Sequence, residues 1–230
     1  MPMRARFDAA LLTRPPRLLH ALLPGCEWTG PRHALSGAPI IYLTFDDGPI
    51  PDETPWVLEQ LALFEAKATF FCVGQNLERY PDIARAALAA GHRVGNHTHQ
   101  HRSAWATDRA SYLADAAECQ VIIGELEGVK PGGADYQFPR SLFRPPYGRL
   151  TWSLLRDLQA DYRVIMWSVL TRDYNPNLSP ESCLRDTLAT VRPGDVLVFH
   201  DSQKASARLR FVLPRVLAHL AGQEYQFSTL

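Results

Sequence analysis

A chain of 230 residues that is 46% hydrophobic, 21% charged and 10% aromatic has the makeup of a folded domain and excludes a disordered segment. Lysine plus arginine and aspartate plus glutamate both number 24, so no net field draws nucleic acid or an anionic membrane to it. No uncharged apolar stretch approaches the roughly 18 residues of a membrane span, which argues for no transmembrane segment.

In chain order, residues 1–36 read as an N-terminal extension laid on the outside of a domain spanning 37–230. Its run 18–24 is too short and interrupted for a signal-peptide core, which points to the cytoplasm. Short apolar or β-branched runs predict strands at 40–45, 69–73, 92–96, 141–144, 162–169, 195–200 and 225–228. Between them, helical spacing predicts helices at 53–65, 77–90, 107–127, 149–159, 179–191 and 212–221. Gly91 suits a helix C-terminus, Ser179-Pro180-Glu181 a helix start, and Pro214 the first turn of the last helix. Segment 130–137, with Pro131-Gly132-Gly133, reads as a loop. Strand–helix alternation implies an α/β fold with a parallel sheet, a small or incomplete β/α barrel, with an open doubly wound sheet as the rival. The cysteines at 26, 72, 119 and 183 form no Cys-x-x-Cys; Cys72 and Cys119 read as buried small hydrophobes, and a reducing compartment follows.

Polar residues gather at the C-terminal ends of five predicted strands, which share one face in a β/α barrel. The first ends in Asp46-Asp47-Gly48-Pro49. Asp before Gly-Pro is a common turn-former, but two adjacent carboxylates repel unless a cation lies between them. The third runs into His97-Thr98-His99-Gln100-His101. Histidines at i and i+4 share a side if the segment is helical, and an i, i+2 pair with His99 stays open. Asp47, His97 and His101 would make an open facial metal site. Arg144, ahead of Pro145-Pro146, could hold a carboxylate ionised, and Tyr147 carries the first backbone N–H after the two prolines. His200 follows an apolar strand and reads as a general acid; Asp173 could orient it or tether Arg144.

These motifs together resemble the polysaccharide deacetylase family, the NodB-homology or carbohydrate esterase family 4 domain. Thr44-Phe45-Asp46-Asp47-Gly48-Pro49 carries its first motif, His97–His101 its second and Arg144-Pro145-Pro146-Tyr147-Gly148 its third, over about residues 38–228. The resemblance implies a distorted (β/α)7 barrel, with Asp46 as catalytic base and Asp47, His97 and His101 as metal ligands. It implies Arg144 positioning the base, the Tyr147 amide on the oxyanion and His200 as acid. Asp173-Tyr174 has Tyr where the family's motif has Trp, Val198 replaces Leu, and Leu170 stands where a further Asp is frequent; both replacements border the acetyl-methyl pocket.

The expected activity is metal-assisted hydrolysis of N-acetyl groups on amino sugars of a chitin-like or peptidoglycan-like glycan. The expected ion is Zn2+, with Co2+, Ni2+ or Mn2+ as substitutes. An O-acetyl esterase, a degenerate carbohydrate-binding protein, an iron(II) oxygenase and a metal-free glycosidase are the alternatives. Loops 102–111, 130–140 and 172–178 are expected to shape the groove, with Trp105 as a candidate sugar platform.

Overall fold

Ile40–Asp46 (β1) sets the frame: it is buried along its whole length, as a strand with packing on both faces must be. In a computed structural model, which describes residues 13–128 and 141–230, it is followed by β2 (Ala68–Cys72), β3 (Arg93–Asn96) and β4 (Ser141–Phe143). Next come β5 (Tyr162–Val164), β6 (Val169–Leu170), β7 (Val196–His200) and β8 (Gln226–Phe227). Neighbours pair in parallel in the order β5-β4-β3-β2-β1-β7-β6, and β8 lies off this path against the start of β1. β5 and β6 stand at opposite ends of that order, yet only residues 165–168 separate them. The sheet therefore curls until its edges nearly meet, a distorted barrel of seven strands. The doubly wound alternative is set aside.

Alternation along β1 sorts its side chains. Ile41, Leu43 and Phe45 join the core beneath the surrounding helices, and Phe45 stacks on Phe70 and Phe199 at 5.0 and 5.6 Å. Ile40 and Tyr42 pack into the barrel interior with Phe71, Leu142 and Ile165. Asp46 and Thr44 share this inner side because strand side chains repeat every second residue.

The helices are α1 (Arg17–Leu22), α2 (Glu53–Ala62), α3 (Gly74–Arg79), α4 (Pro81–Ala89), α5 (Arg109–Leu126), α6 (Trp152–Asp161), α7 (Pro180–Leu188) and α8 (Ser206–Ala221). None of the described ones is long and apolar enough to cross a membrane. Ser179 caps α7 by accepting the Ser182 N–H, and Gly91 takes φ 82° just past α4.

Three expected elements come out differently. The helix expected over 77–90 breaks at Tyr80 (φ −133°), because Pro81 can start a helix but cannot continue one. Pro214 lies inside α8 and not in its first turn. The stripe Leu209, Val212, Leu213, Val216, Leu217 and Leu220 is buried, and that packing outweighs the roughly 3 kcal/mol a proline costs mid-helix. The strand expected over 162–169 divides into β5 and β6. Between them the carbonyls of Ile165 and Met166 accept from the Arg144 guanidinium, so the ladder is interrupted there.

Glu27, ahead of β1 in the chain, enters this gap. Its N–H donates to Val164 (2.8 Å) and its carbonyl accepts from Met166 (2.7 Å). The predicted loop 130–137 lies outside the described residues.

Candidate active site

The loop after β3 is not helical, so the i, i+4 spacing of His97 and His101 works by another route. Thr98 and His101 take positive φ, 63° and 54°. Asn96 Oδ1 accepts the Thr98 N–H, and Asp115 Oδ2, projecting from α5, accepts those of His99 and Gln100. Pinned in this way, the loop turns His97 and His101 onto Asp47. One ligand atom from each of the three residues lies within 4.8 Å of the other two. His99 points elsewhere, toward Glu118 and Glu78 at 3.6 and 3.9 Å, which closes the i, i+2 alternative.

The donor set has the chemistry of a divalent metal site. The Arg144 carbonyl can only accept, so His97 Nδ1, 2.7 Å away, carries the proton and Nε2 presents its lone pair toward Asp47. Burial lowers the His97 imidazole to about 4, which keeps it neutral. Burial alone would raise the Asp47 carboxyl. The hydrogen bond from His101 and the nearby imidazoles of His200 and His97 outweigh it and hold Asp47 well below the usual carboxylate range. A carboxylate and two imidazoles, one with its outer N–H anchored, fit a metal of zinc's preferences.

Asp46, the neighbour of Asp47, is paired with Arg144. The wholly buried guanidinium donates to Asp46 Oδ1 and Thr44 Oγ1, both at 2.7 Å, and to the two carbonyls of the β5–β6 break. It also lies 4.1 Å over the Phe71 ring. Arg144 thus balances the charge of Asp46, while the imidazoles face that of Asp47.

Asp173 goes to His200 and not to Arg144. Its Oδ1 meets His200 Nδ1 at 2.7 Å and its Oδ2 accepts the His200 N–H at 2.8 Å. Burial would lower the His200 imidazole, but Asp173, by charge and hydrogen bond, raises it to about 9. Tyr174 crosses the ring edge-on at 4.9 Å.

Asp46, Asp47, His97, His101 and His200 line one cleft of about 490 Å³, together with Tyr147, Val198, Leu170 and Tyr174. Tyr147 adopts φ 60° after the two prolines and sets its ring edge-on to His101 at 4.7 Å. Trp105 lies outside the lining, exposed, with its Nε1 donating to the Leu150 carbonyl. Of the loops expected to shape the groove, 172–178 supplies Tyr174, and 130–140 lies outside the described residues.

Sequence reasoning missed the groups that hold the Asp47 turn. Asp201 accepts the Gly48 N–H (3.1 Å) and the Thr54 hydroxyl (2.6 Å), and Asn76 donates to the Asp47 carbonyl (2.8 Å). The available signal was the acidic residue directly after His200. Trp167, Arg149 and Lys204 also border the cleft unforeseen.

Residues 35–164 match the family model described as polysaccharide deacetylase. A peptidoglycan-N-acetylglucosamine deacetylase of Bacillus cereus is 32% identical over 195 residues, which cover 83% of this chain and 86% of that one. A chitooligosaccharide deacetylase of Azorhizobium caulinodans is 34% identical over 77% of this chain and 88% of its own. The crystal structure of the Bc1960 peptidoglycan N-acetylglucosamine deacetylase, in complex with 4-naphthalen-1-yl-N-oxidanyl-benzamide, superposes with a TM-score of 0.76. It shares 26% identity over 93% of this chain and 94% of that one. By the length of the match and by identity, this chain is an enzyme of the polysaccharide deacetylase family.

Proposed function

We propose that the enzyme removes acetyl groups from N-acetylated amino sugars of a polysaccharide or oligosaccharide, releasing acetate, with a divalent ion held by Asp47, His97 and His101. The observation that carries the reading is the convergence of those three ligand atoms beside a carboxylate, Asp46, that a buried arginine holds. Zn2+ suits the donor set best, and Co2+, Ni2+ or Mn2+ accept the same ligands. When bound, such an ion supplies a Lewis acid that polarises the acetyl carbonyl and lowers the pKa of water.

The other roles fall to the chain's own groups. Asp46, oriented by Arg144, takes the proton of the attacking water. The Tyr147 N–H donates to the acetyl oxygen as negative charge develops there, an interaction worth about 2.7–4 kcal/mol in sites of this type. His200 has its Nδ1 committed to Asp173, which leaves Nε2–H to protonate the sugar nitrogen as the C–N bond breaks. Tyr174, Val198 and Leu170 wall the cleft on the side of His200, where the acetyl methyl would sit. Family membership removes the oxygenase and glycosidase alternatives.

The test is metal analysis combined with acetate release from a panel of N- and O-acetylated oligosaccharides, before and after chelation. Acetate from the N-acetylated members, lost on chelation and restored by Zn2+, supports the reading. Turnover that survives full metal removal overturns its metal part. Release from O-acetyl esters alone makes the enzyme an esterase, and glycan binding with no release marks a degenerate site.

A further inference from the structure

Two cations at the rim of the cleft, Arg149 and Lys204, have no carboxylate partner among the described residues. Each is braced on aromatic rings instead. The Arg149 guanidinium lies 4.9 Å from the Trp105 ring centre and 5.4 Å from that of Tyr147; Lys204 Nζ lies 5.6 Å from that of Tyr174. The other charged groups are already engaged: Asp46 with Arg144, His200 with Asp173, and Asp47 with the imidazoles.

Isolated surface cations are ordinary, but these two lie over Tyr147 and Tyr174, rings of the cleft wall, with Arg149 also over Trp105 just outside it. Tyr147 belongs to the turn carrying the proposed oxyanion donor, and Tyr174 crosses His200. The cations therefore sit at the cleft with free hydrogen-bonding capacity, and the guanidinium fork matches a carboxylate in two-point contact. The exposed Trp105 face beside Arg149 offers a surface for a sugar ring.

Resting on the deacetylase reading above, we infer that the substrate is an N-acetylated glycan that carries carboxylates, and that Arg149 and Lys204 receive them. A neutral homopolymer of N-acetylglucosamine leaves both cations idle. The carboxylate can belong to an acidic substituent on the sugar or to a peptide attached to it; both present the same group to the same cations.

The experiment compares kcat/KM of the zinc-loaded enzyme on tetrasaccharides sharing one N-acetylated backbone. One carries free lactyl-ether carboxylates on alternate sugars, one carries their methyl esters, and one carries short peptides with free carboxylates on the lactyl groups. Preference for the free acid or the peptide form over the ester, about tenfold and mainly through KM, is expected, with the better of the two naming the source of the carboxylate. R149Q and K204Q should each reduce that ratio about threefold, the double variant should abolish it, and about 0.5 M NaCl should erode it. Equal kcat/KM for acid, peptide and ester forms, or a preference that the double variant retains, overturns the inference. If no tetrasaccharide releases acetate, the deacetylase reading fails separately. Calorimetric binding of the same compounds then decides the charge preference by the same ratios.

Discussion

His97 donates its Nδ1–H to the main-chain carbonyl of Arg144 across 2.7 Å, while the guanidinium of the same arginine reaches the other way to Asp46, also at 2.7 Å. One residue thus supports both a proposed ligand and the proposed base, the first through its backbone and the second through its side chain. Arg144→Lys should separate the two. The carbonyl remains, so zinc content should stay near one per chain. The fork is lost, so kcat should fall by about a hundred- to a thousandfold. Parallel loss of metal and rate would mean that the side chain holds the whole cluster.

Asp46→Asn should lower kcat by about a hundred- to ten-thousandfold while metal content holds. It also leaves the buried guanidinium facing a neutral amide, so the melting temperature should drop. Unchanged turnover would remove Asp46 from the role of base.

His97 and His99, both on the loop after β3, should differ sharply in metal analysis. His97→Ala should lose the ion, because it removes a neutral, tautomer-fixed imidazole from the cluster. His99→Ala should retain it, since His99 faces Glu78 and Glu118. Equal loss in both variants would show that loop shape, and not ligation, governs binding.

His200 should set the alkaline limb of activity. Asp173 raises its imidazole to about 9 against burial, so the proton-donating form prevails below that pH and activity should fall as pH rises through it. Asp173→Asn removes the largest raising charge and leaves those of Asp47 and Asp46, so the limb should move down, visible in kcat/KM profiles. The stability linkage has the same direction. A histidine raised on folding contributes stability fully below about 6.5, and that contribution is lost as pH rises through about 9. A limb that stays in place in the variant would uncouple Asp173 from the acid.

Asp201 is a buried carboxyl raised to about 8, chiefly by burial, so the folded chain keeps a proton that the unfolded chain releases above 3.8. Stability should therefore decline between about 4 and 8, and Asp201→Asn, which mimics the protonated form, should flatten that slope in urea titrations. Asp201→Ala should instead cost about 1–3 kcal/mol by orphaning the Gly48 N–H, and should weaken zinc binding through the neighbouring Asp47. Gly48→Ala should be worse, because its Cβ would lie 2.1 Å from Asp201 Oδ2. A flat wild-type titration would show that Asp201 is ionised in the fold.

Period and punctuation carried most of the fold. β1, β7 and α5 declare themselves because burial on a strand or helix face requires apolar residues at fixed spacing, and Ser179-Pro180 marks a start that backbone chemistry dictates. The division of 162–169 was not visible, because its cause is an arginine about 20 residues upstream drawing two carbonyls out of the ladder. Pro214 misled for a related reason: a local penalty was outweighed by packing that only the assembled α8 stripe supplies.

In the site, residue type and strand-end position put forward Asp46, Asp47, His97, His101, Arg144 and His200 as candidates, and the family resemblance supplied their expected roles, because few side chains can do such chemistry and a β/α sheet exposes them at one end. The three-dimensional packing decided the pairings: which aspartate Arg144 takes, that Asp173 serves His200, and that His99 turns away. Linear order cannot rank such partners, since a carboxylate's choice among cations depends on separations of a few ångströms between segments up to a hundred residues apart.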